Sequence, residues 1–274
     1  MPVRPRPAPR TKPFAKKHLG QNFLIDPNIK RRLLEHCSLT TNDIVWEIGP
    51  GRGALTSELV QMANKIYAIE KDRSLVELLQ QNFPAPNLTI IAADFLTIDL
   101  NQLPAPTKVI GNLPYNISTP IIERLIHHRQ WLTDLFFTVQ LEFGRRLTAQ
   151  PHTKDYGSLS CFVQYYADVE LLFRIKNTAF RPIPKVHSCF IHMKFRPPHT
   201  PASDENFLFA LIRTAFQQRR KKLVNSLYPL IGKEGMEVLQ KKGIDLNARA
   251  ENLAVKDYVR LAEMLSEKNQ EKGA

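Results

Sequence analysis

"DIVWEIGPGRGALTSELVQMANKIYAIE", residues 43–70, decides the fold. "DIVWEIG" (43–49) is a short apolar run that ends in a glycine loop, and "ALTSELVQMA" (54–63) follows with helical periodicity. "KIYAIE" (65–70) is a second apolar run. Strand, glycine loop, helix, strand is the unit from which a parallel sheet with helical crossovers is made. In "EIGPGRG" (47–53) the glycines let the backbone turn tightly and approach a ligand, and the helix that follows offers unpaired N–H groups. Nicotinamide-dinucleotide folds also carry a glycine loop here. Gly49, Gly51 and Gly53 are spaced G-x-G-x-G rather than G-x-G-x-x-G, however, which suits S-adenosylmethionine, a ligand without phosphates, better.

The same alternation continues outward. The helical "SLVELLQQNF" leads to strand candidates "LTIIAAD" (88–94), "TKVIGN" (107–112) and "LFFTVQ" (135–140), each bounded by Pro, Asn, Asp or Gly. "TPIIERLIHH" reads as a helix with Pro120 in its first turn. "VELLFRI" (169–175) and "CFIHMKF" (189–195) are expected to close the sheet as a terminal hairpin. "RPPHTPASD" (196–204) is a proline-rich linker. Beyond it, "ENFLFALIRTAFQQ", "KKLVNSLYPLI", "GMEVLQKKG" and "DYVRLAEMLSEK" all have helical patterns. The expected architecture is α/β: a Rossmann-like domain over 18–196 and a small all-helical domain over 197–274. Residues 1–17, with six basic residues, five prolines and no acid, precede these as a basic flexible arm.

The chain has 274 residues, 43% of them apolar, and no eighteen-residue apolar run, so a membrane span is not expected. The N-terminus lacks the apolar core of a signal peptide. Cys37, Cys161 and Cys189 stand far apart without ligand spacing. That argues for a reducing, cytoplasmic setting, with no disulfide framework and no metal site. His18 and His127-His128 add no ligand geometry. The 38 Lys and Arg against 26 Asp and Glu leave a net charge of +12. Charge of this sign favours a polyanionic partner, nucleic acid or an anionic membrane surface, but an ordinary basic enzyme shows it too.

Three strand tips carry Gly49, Glu70 and Asp94. A carboxylate at Glu70 can accept ribose hydroxyls, and one at Asp94 can accept the exocyclic amine of the cofactor's adenine; ligands of such sheets sit at the strands' C-terminal ends. The fourth tip is Asn112-Leu113-Pro114-Tyr115, in "GNLPYNIST" (111–119). Pro114 holds Leu113 extended and fixes the direction of its carbonyl, and has no N–H of its own to compete for it. Asn112 offers a second acceptor. Two acceptors converging on one NH₂ group turn its lone pair toward a sulfonium methyl, and Tyr115 can stack on the base that carries the amine.

"GNLPYNIST", "HLGQNFL" (18–24), "EIGPGRGALT" (47–56), "YGSLSCFVQYYADVELLF" (156–173), "AFRPIPKVHS" (179–188), "AFQQRRKKLVNSL" (215–227) and "ARAENLAVKDYVRLA" (248–262) together resemble one family. It is the small-subunit ribosomal RNA adenine N6,N6-dimethyltransferases, the kasugamycin-resistance family, and the likeness runs from about residue 12 to 266. It implies a methyltransferase dependent on S-adenosylmethionine (SAM), without a metal. The implied substrate is a pair of adjacent adenines in the 3′-terminal hairpin loop of 16S rRNA, modified on the immature 30S subunit; the protein is expected to be a monomer when free. By the same resemblance Asn22 and Leu24 join Gly49, Glu70, Asp94 and Asn112 around the cofactor, and Phe180 sandwiches the target adenine opposite Tyr115. Arg219, Arg220, Lys221 and Lys222 form a basic run, assigned to RNA phosphates; Arg145 and Arg146 are weaker candidates. Ile183, His187 and Leu141 stand where the family more often has proline, aspartate and a basic residue. Two rivals share parts of this pattern: the large-subunit rRNA adenine methyltransferases linked to macrolide resistance, and a noncatalytic ribosome-assembly factor that binds RNA. Leu113 and "AFQQRRKKLVNSL" favour the small-subunit family, and intact Glu70, Asp94 and Asn112 favour catalysis.

Overall fold

A computed structural model of the chain describes residues 15–271 other than 17, 18, 103 and 105. The basic arm assigned to 1–17 lies outside the described residues except for 15 and 16, as does His18. Two compact units are present. One is built from the described residues up to 132 with 136–138 and 175–187, the other from 133–135, 139–174 and the described residues from 188 onward. The expected boundary at 196 does not coincide with this division.

The first unit opens with β1 (Phe23–Leu24) and α1 (Pro27–Cys37). Asp26 caps α1 by accepting from the N–H groups of Asn28 and Ile29, and Pro27 takes the first helical position, where its missing N–H costs nothing. Next come β2 (Ile44–Ile48), α2 (Thr56–Met62), β3 (Lys65–Glu70), α3 (Arg73–Asn82), β4 (Leu88–Ala92), β5 (Thr107–Asn112) and α4 (Ser118–His127). The strands lie in the order β4-β3-β2-β5, every pair parallel, as the alternation predicts. The register sets Ile48 opposite both Ile69 and Gly111, and Glu70 opposite Ala92. All four C-terminal ends therefore finish at one level. Val45, Trp46, Ile66, Val109 and Ile110 bury the middle of the sheet, which is why these strands read as near-continuous apolar runs. Glu47 is the one buried acid of β2.

The glycine loop needs its glycines for different reasons. Gly53 has φ +79° and a Cβ there would lie 2.2 Å from the Phe83 ring; Gly51 has φ +60° and packs against Phe23. Any side chain at Gly53 would meet both backbone strain and a fixed aromatic.

Strand β6 (Leu132–Gln140) supplies residues to both units. After it come α5 (Leu141–Thr148), α6 (Ser158–Tyr166), β7 (Ala167–Ile175), β8 (Phe180–Arg181), β9 (Ser188–Phe195), α7 (Glu205–Gln217), α8 (Leu223–Ser226), α9 (Tyr228–Lys241) and α10 (Val255–Glu271). In the first unit β8 pairs antiparallel with β1, Leu24 opposite Phe180. In the second unit the order is β6-β9-β7. The two closing strands are thus neighbours as expected, with β9 inside and β7 at the edge. Aromatic rings tie α6 to α7: Phe162, Tyr165 and Tyr166 pack around Phe209 with centroids 4.9–5.8 Å apart. The expected helix over 221–231 is two helices, because Pro229 sits in the first turn of α9 and not inside a continuous helix, and Gly232 (φ +60°) kinks α9 itself.

Candidate active site

A cavity opens at the common end of the parallel strands. Its walls are Gly49 and Gly51 after β2, Ile69, Glu70 and Lys71 at the end of β3, Ala93, Asp94 and Phe95 after β4, and Asn112 to Ile117 after β5, with residues 19–23 closing one side. The four tips singled out in the sequence are brought together here.

Glu70 is buried and anchors the glycine loop. Its Oε2 accepts the Gly51 N–H at 3.1 Å and its Oε1 accepts the Asp72 N–H at 2.8 Å. Burial pushes its carboxyl upward, and these N–H groups only partly oppose that shift. Asp94 behaves oppositely. Burial raises it too, but the Lys71 ammonium at 2.7 Å from Oδ2 and the Leu96 N–H at 3.0 Å from Oδ1 hold it below the usual carboxylate range. The Arg124 guanidinium, bonded to the Leu96 and Ile98 carbonyls, fixes the loop beneath it. Two carboxylates spaced along the strand ends, one for hydroxyls and one for an amine, fit the adenosine half of SAM.

At the fourth tip the Asn112 side chain donates from Nδ2 to the Asn22 carbonyl at 2.8 Å. A carbonyl only accepts, so the NH₂ end must face Asn22 and Oδ1 the other way. The chain beyond it is fixed as well: Leu113 N–H bonds the Thr138 carbonyl at 3.0 Å. In the helical turn that follows, the Pro114 oxygen accepts from Ile117 N–H and Ser118 Oγ. Tyr115 is half-buried in the cavity wall.

The segment that closes the cavity is tied down from the β3 end. Buried Asp72 accepts from Lys16 Nζ at 2.7 Å and Gln21 Nε2 at 3.1 Å, and it also caps α3 through Ser74. Burial would raise its carboxyl, but Lys16, Ser74 and Gln21 together outweigh that and hold it at about 2. Phe23, on the same segment, packs under the Arg52 guanidinium, 4.3 Å from its ring centroid. Lys16, Gln21, Lys71 and Asp72 were not singled out in the sequence. "EKD" at 70–72 looks like ordinary surface charge after a strand, and their partners lie dozens of residues away.

Three of the expected site residues have settings that their sequence gives no sign of. Phe180 is fully buried, in a strand paired with Leu24. Leu24 is itself buried and outside the cavity wall: strand alternation turns Phe23 toward the cavity and Leu24 away. Arg219 is committed internally, its guanidinium bonded to Glu251 at 2.5 Å and to the Lys154 and Thr153 carbonyls. The run 219–222 lies in the turn between α7 and α8 and not on a helix. Arg220, Lys221 and Lys222 are exposed, Lys222 reaching Asn247 Oδ1 at 2.9 Å. Arg145 and Arg146 are exposed on α5, the latter paired with Glu142. Ile183 is exposed, and His187 Nδ1 accepts the Asn177 N–H at 3.3 Å. The three cysteines are buried, and burial pushes each thiol up to about 12. Among the described residues no cluster of His, Cys, Asp and Glu is placed to hold a metal, and no helix is long and apolar enough to cross a membrane.

Residues 14–267 match the ribosomal RNA adenine dimethylase family as a whole. Ribosomal RNA small subunit methyltransferase A of Alcanivorax borkumensis is 42% identical over 252 residues, covering 90% of this chain and 89% of that one. The protein of the same name from Listeria monocytogenes is 39% identical over 273 residues, covering 94% and 92%. A dimethyladenosine transferase from Plasmodium falciparum shares the fold, with a TM-score of 0.80 at 22% identity over 90% of this chain and 98% of that one. A 23S rRNA methyltransferase, ErmE, aligns with a TM-score of 0.70 at 25% identity over 89% and 100%.

Proposed function

The chain belongs to the ribosomal RNA adenine dimethylase family, and on that premise we propose that it dimethylates the N6 amines of two adjacent adenines in the 3′-terminal hairpin loop of 16S rRNA. The naming of its relatives for the small subunit supports that substrate over the large-subunit one. The observation that carries the reading is the Asn112 Nδ2 bond to the Asn22 carbonyl, which leaves Oδ1 as the acceptor for an incoming amine.

SAM, when bound, supplies an electrophilic sulfonium methyl. Everything else is done by the chain. Glu70 accepts the ribose hydroxyls and Asp94 the amine of the cofactor's adenine. Asn112 Oδ1 and the Leu113 carbonyl accept the two hydrogens of the target amine and aim its lone pair; Tyr115 covers one face of the target base. Gly49, at φ +64°, turns the backbone so that the loop passes beside the ligand. The methylated nitrogen is a cationic acid and releases its proton readily, so no strong general base is required. An unpaired loop adenine is cheaper to bring into this site than a duplex one.

Residues 197–274 serve RNA binding in this reading, with Arg220, Lys221 and Lys222 on phosphates. The enzyme acts in the cytoplasm on the immature 30S subunit and is a monomer when free. The test is to incubate purified protein and SAM with unmethylated small subunits and map the methylated adenines. Two dimethylated neighbours in the 3′-terminal loop are expected. Product only in 23S rRNA would move the protein to the large-subunit enzymes, and tight rRNA binding without product would make it an assembly factor.

A further inference from the structure

Lys71 projects from the end of β3, directly after Glu70, into the wall of the cofactor cavity. Its Nζ lies 2.7 Å from Asp94 Oδ2; the lysine side chain is 59% exposed and that of Asp94 25%. The other Asp94 oxygen, Oδ1, already accepts the Leu96 N–H at 3.0 Å. An adenine amine approaching Asp94 from the cavity therefore meets a carboxylate with one oxygen committed to the backbone and the other to an ammonium.

We propose that Lys71 is a latch on the adenine end of the cavity, an affinity-setting residue that holds Asp94 Oδ2 until the cofactor's amine takes that oxygen. The inference rests on the role given to Asp94 above. Exchange at Oδ2 replaces an ion pair by a hydrogen bond from a neutral amine to the same carboxylate, so the ligand binds less tightly than it would to an unlatched carboxylate. The lysine is anchored only at its tip and its stem is exposed, so it can swing into water without disturbing the sheet. Because the latch acts on adenine and not on the sulfur, it must weaken SAM and S-adenosylhomocysteine equally. Simple repulsion between two cations would weaken only the sulfonium form.

The experiment is titration calorimetry of both ligands with the full chain at low salt. Lys71→Met is expected to tighten SAM and S-adenosylhomocysteine alike, by about two- to fivefold, the range an exposed ion pair supports. Lys71→Arg keeps the pair and is expected to bind like the parent. Added salt should tighten S-adenosylhomocysteine binding to the parent and leave Lys71→Met unchanged. Unchanged or weaker binding by Lys71→Met, or tightening confined to SAM, would overturn the latch. Asp94→Asn separates the two claims. It should weaken both ligands and abolish any further effect of Lys71→Met. If Asp94→Asn binds like the parent, the role of Asp94 itself is wrong.

Discussion

Asn112 Nδ2 and the backbone oxygen of Asn22 lie 2.8 Å apart, joining a strand tip to a segment ninety residues earlier. The bond makes the orientation of the Asn112 amide depend on the strap over residues 19–23. Asn112→Ala removes one of two acceptors for the target amine, and a loss of roughly 10²-fold in single-turnover methyl transfer is expected, the size typical of one positioned polar group. SAM affinity, measured by calorimetry, should change much less. A variant that methylates small subunits at the parent rate would sink the assignment.

The Asp72 cluster gives a second expectation. Asp72→Asn keeps a side-chain oxygen to cap α3 but removes the charge that holds Lys16 and Gln21. Cofactor binding should weaken by about tenfold, through looser positioning of the strap, with only a small drop in melting temperature. Amide exchange over 19–24 should quicken. Lys16→Met should reproduce the affinity loss without touching the helix cap; if it does not, the clamp is not what positions the strap.

How much of this was visible in the sequence depends on the range of the interaction. The glycine loop, the Glu70 and Asp94 tips and the proline-ended Asn112 tip are local signals, and the structure brings them into one cavity. Helix α1 also has local signals, Asp26 as cap and Pro27 at its first position, but they lie just beyond the 18–24 motif and carry no assignment above. Helix α6, "SLSCFVQYY", is rich in aromatic residues and buried around much of its circumference, so it has no clean amphipathic period. The settings of Phe180 and Arg219 were not legible for a different reason. Their fates are set by Leu24 and Glu251, partners far along the chain that no local pattern reveals.

Glu47 makes stability depend on pH. It is buried on β2, accepts from Thr56 Oγ1 at 2.6 Å, and its carboxyl is pushed up to about 7 by burial, with the nearby Glu70 charge adding to the shift. Folding therefore favours the protonated acid. This contribution is fully present below pH 4.5, its ordinary value, and is lost as the pH rises through about 7. Over that window, one proton's difference corresponds to at most roughly 1.4 kcal/mol of stability per pH unit. Denaturant midpoints for Glu47→Gln should lose this slope, since the amide still accepts from Thr56 but cannot ionise. A variant whose pH profile overlays the parent's would remove Glu47 as its source.

The basic run at 219–222 separates into a structural and a binding half, and two measurements tell them apart. Arg219→Ala leaves Glu251 and two loop carbonyls without their shared donor, and should destabilise the fold by about 1–3 kcal/mol. Arg220→Glu and Lys221→Glu break no described bond, so denaturant midpoints should hold. Each should instead weaken rRNA binding and reduce the slope of log K against log salt by about one. Arg219→Ala should leave that slope alone once the protein is folded. The ordering is what matters: a salt slope altered by Arg219→Ala but not by its exposed neighbours would mean that the guanidinium leaves Glu251 to meet the phosphates.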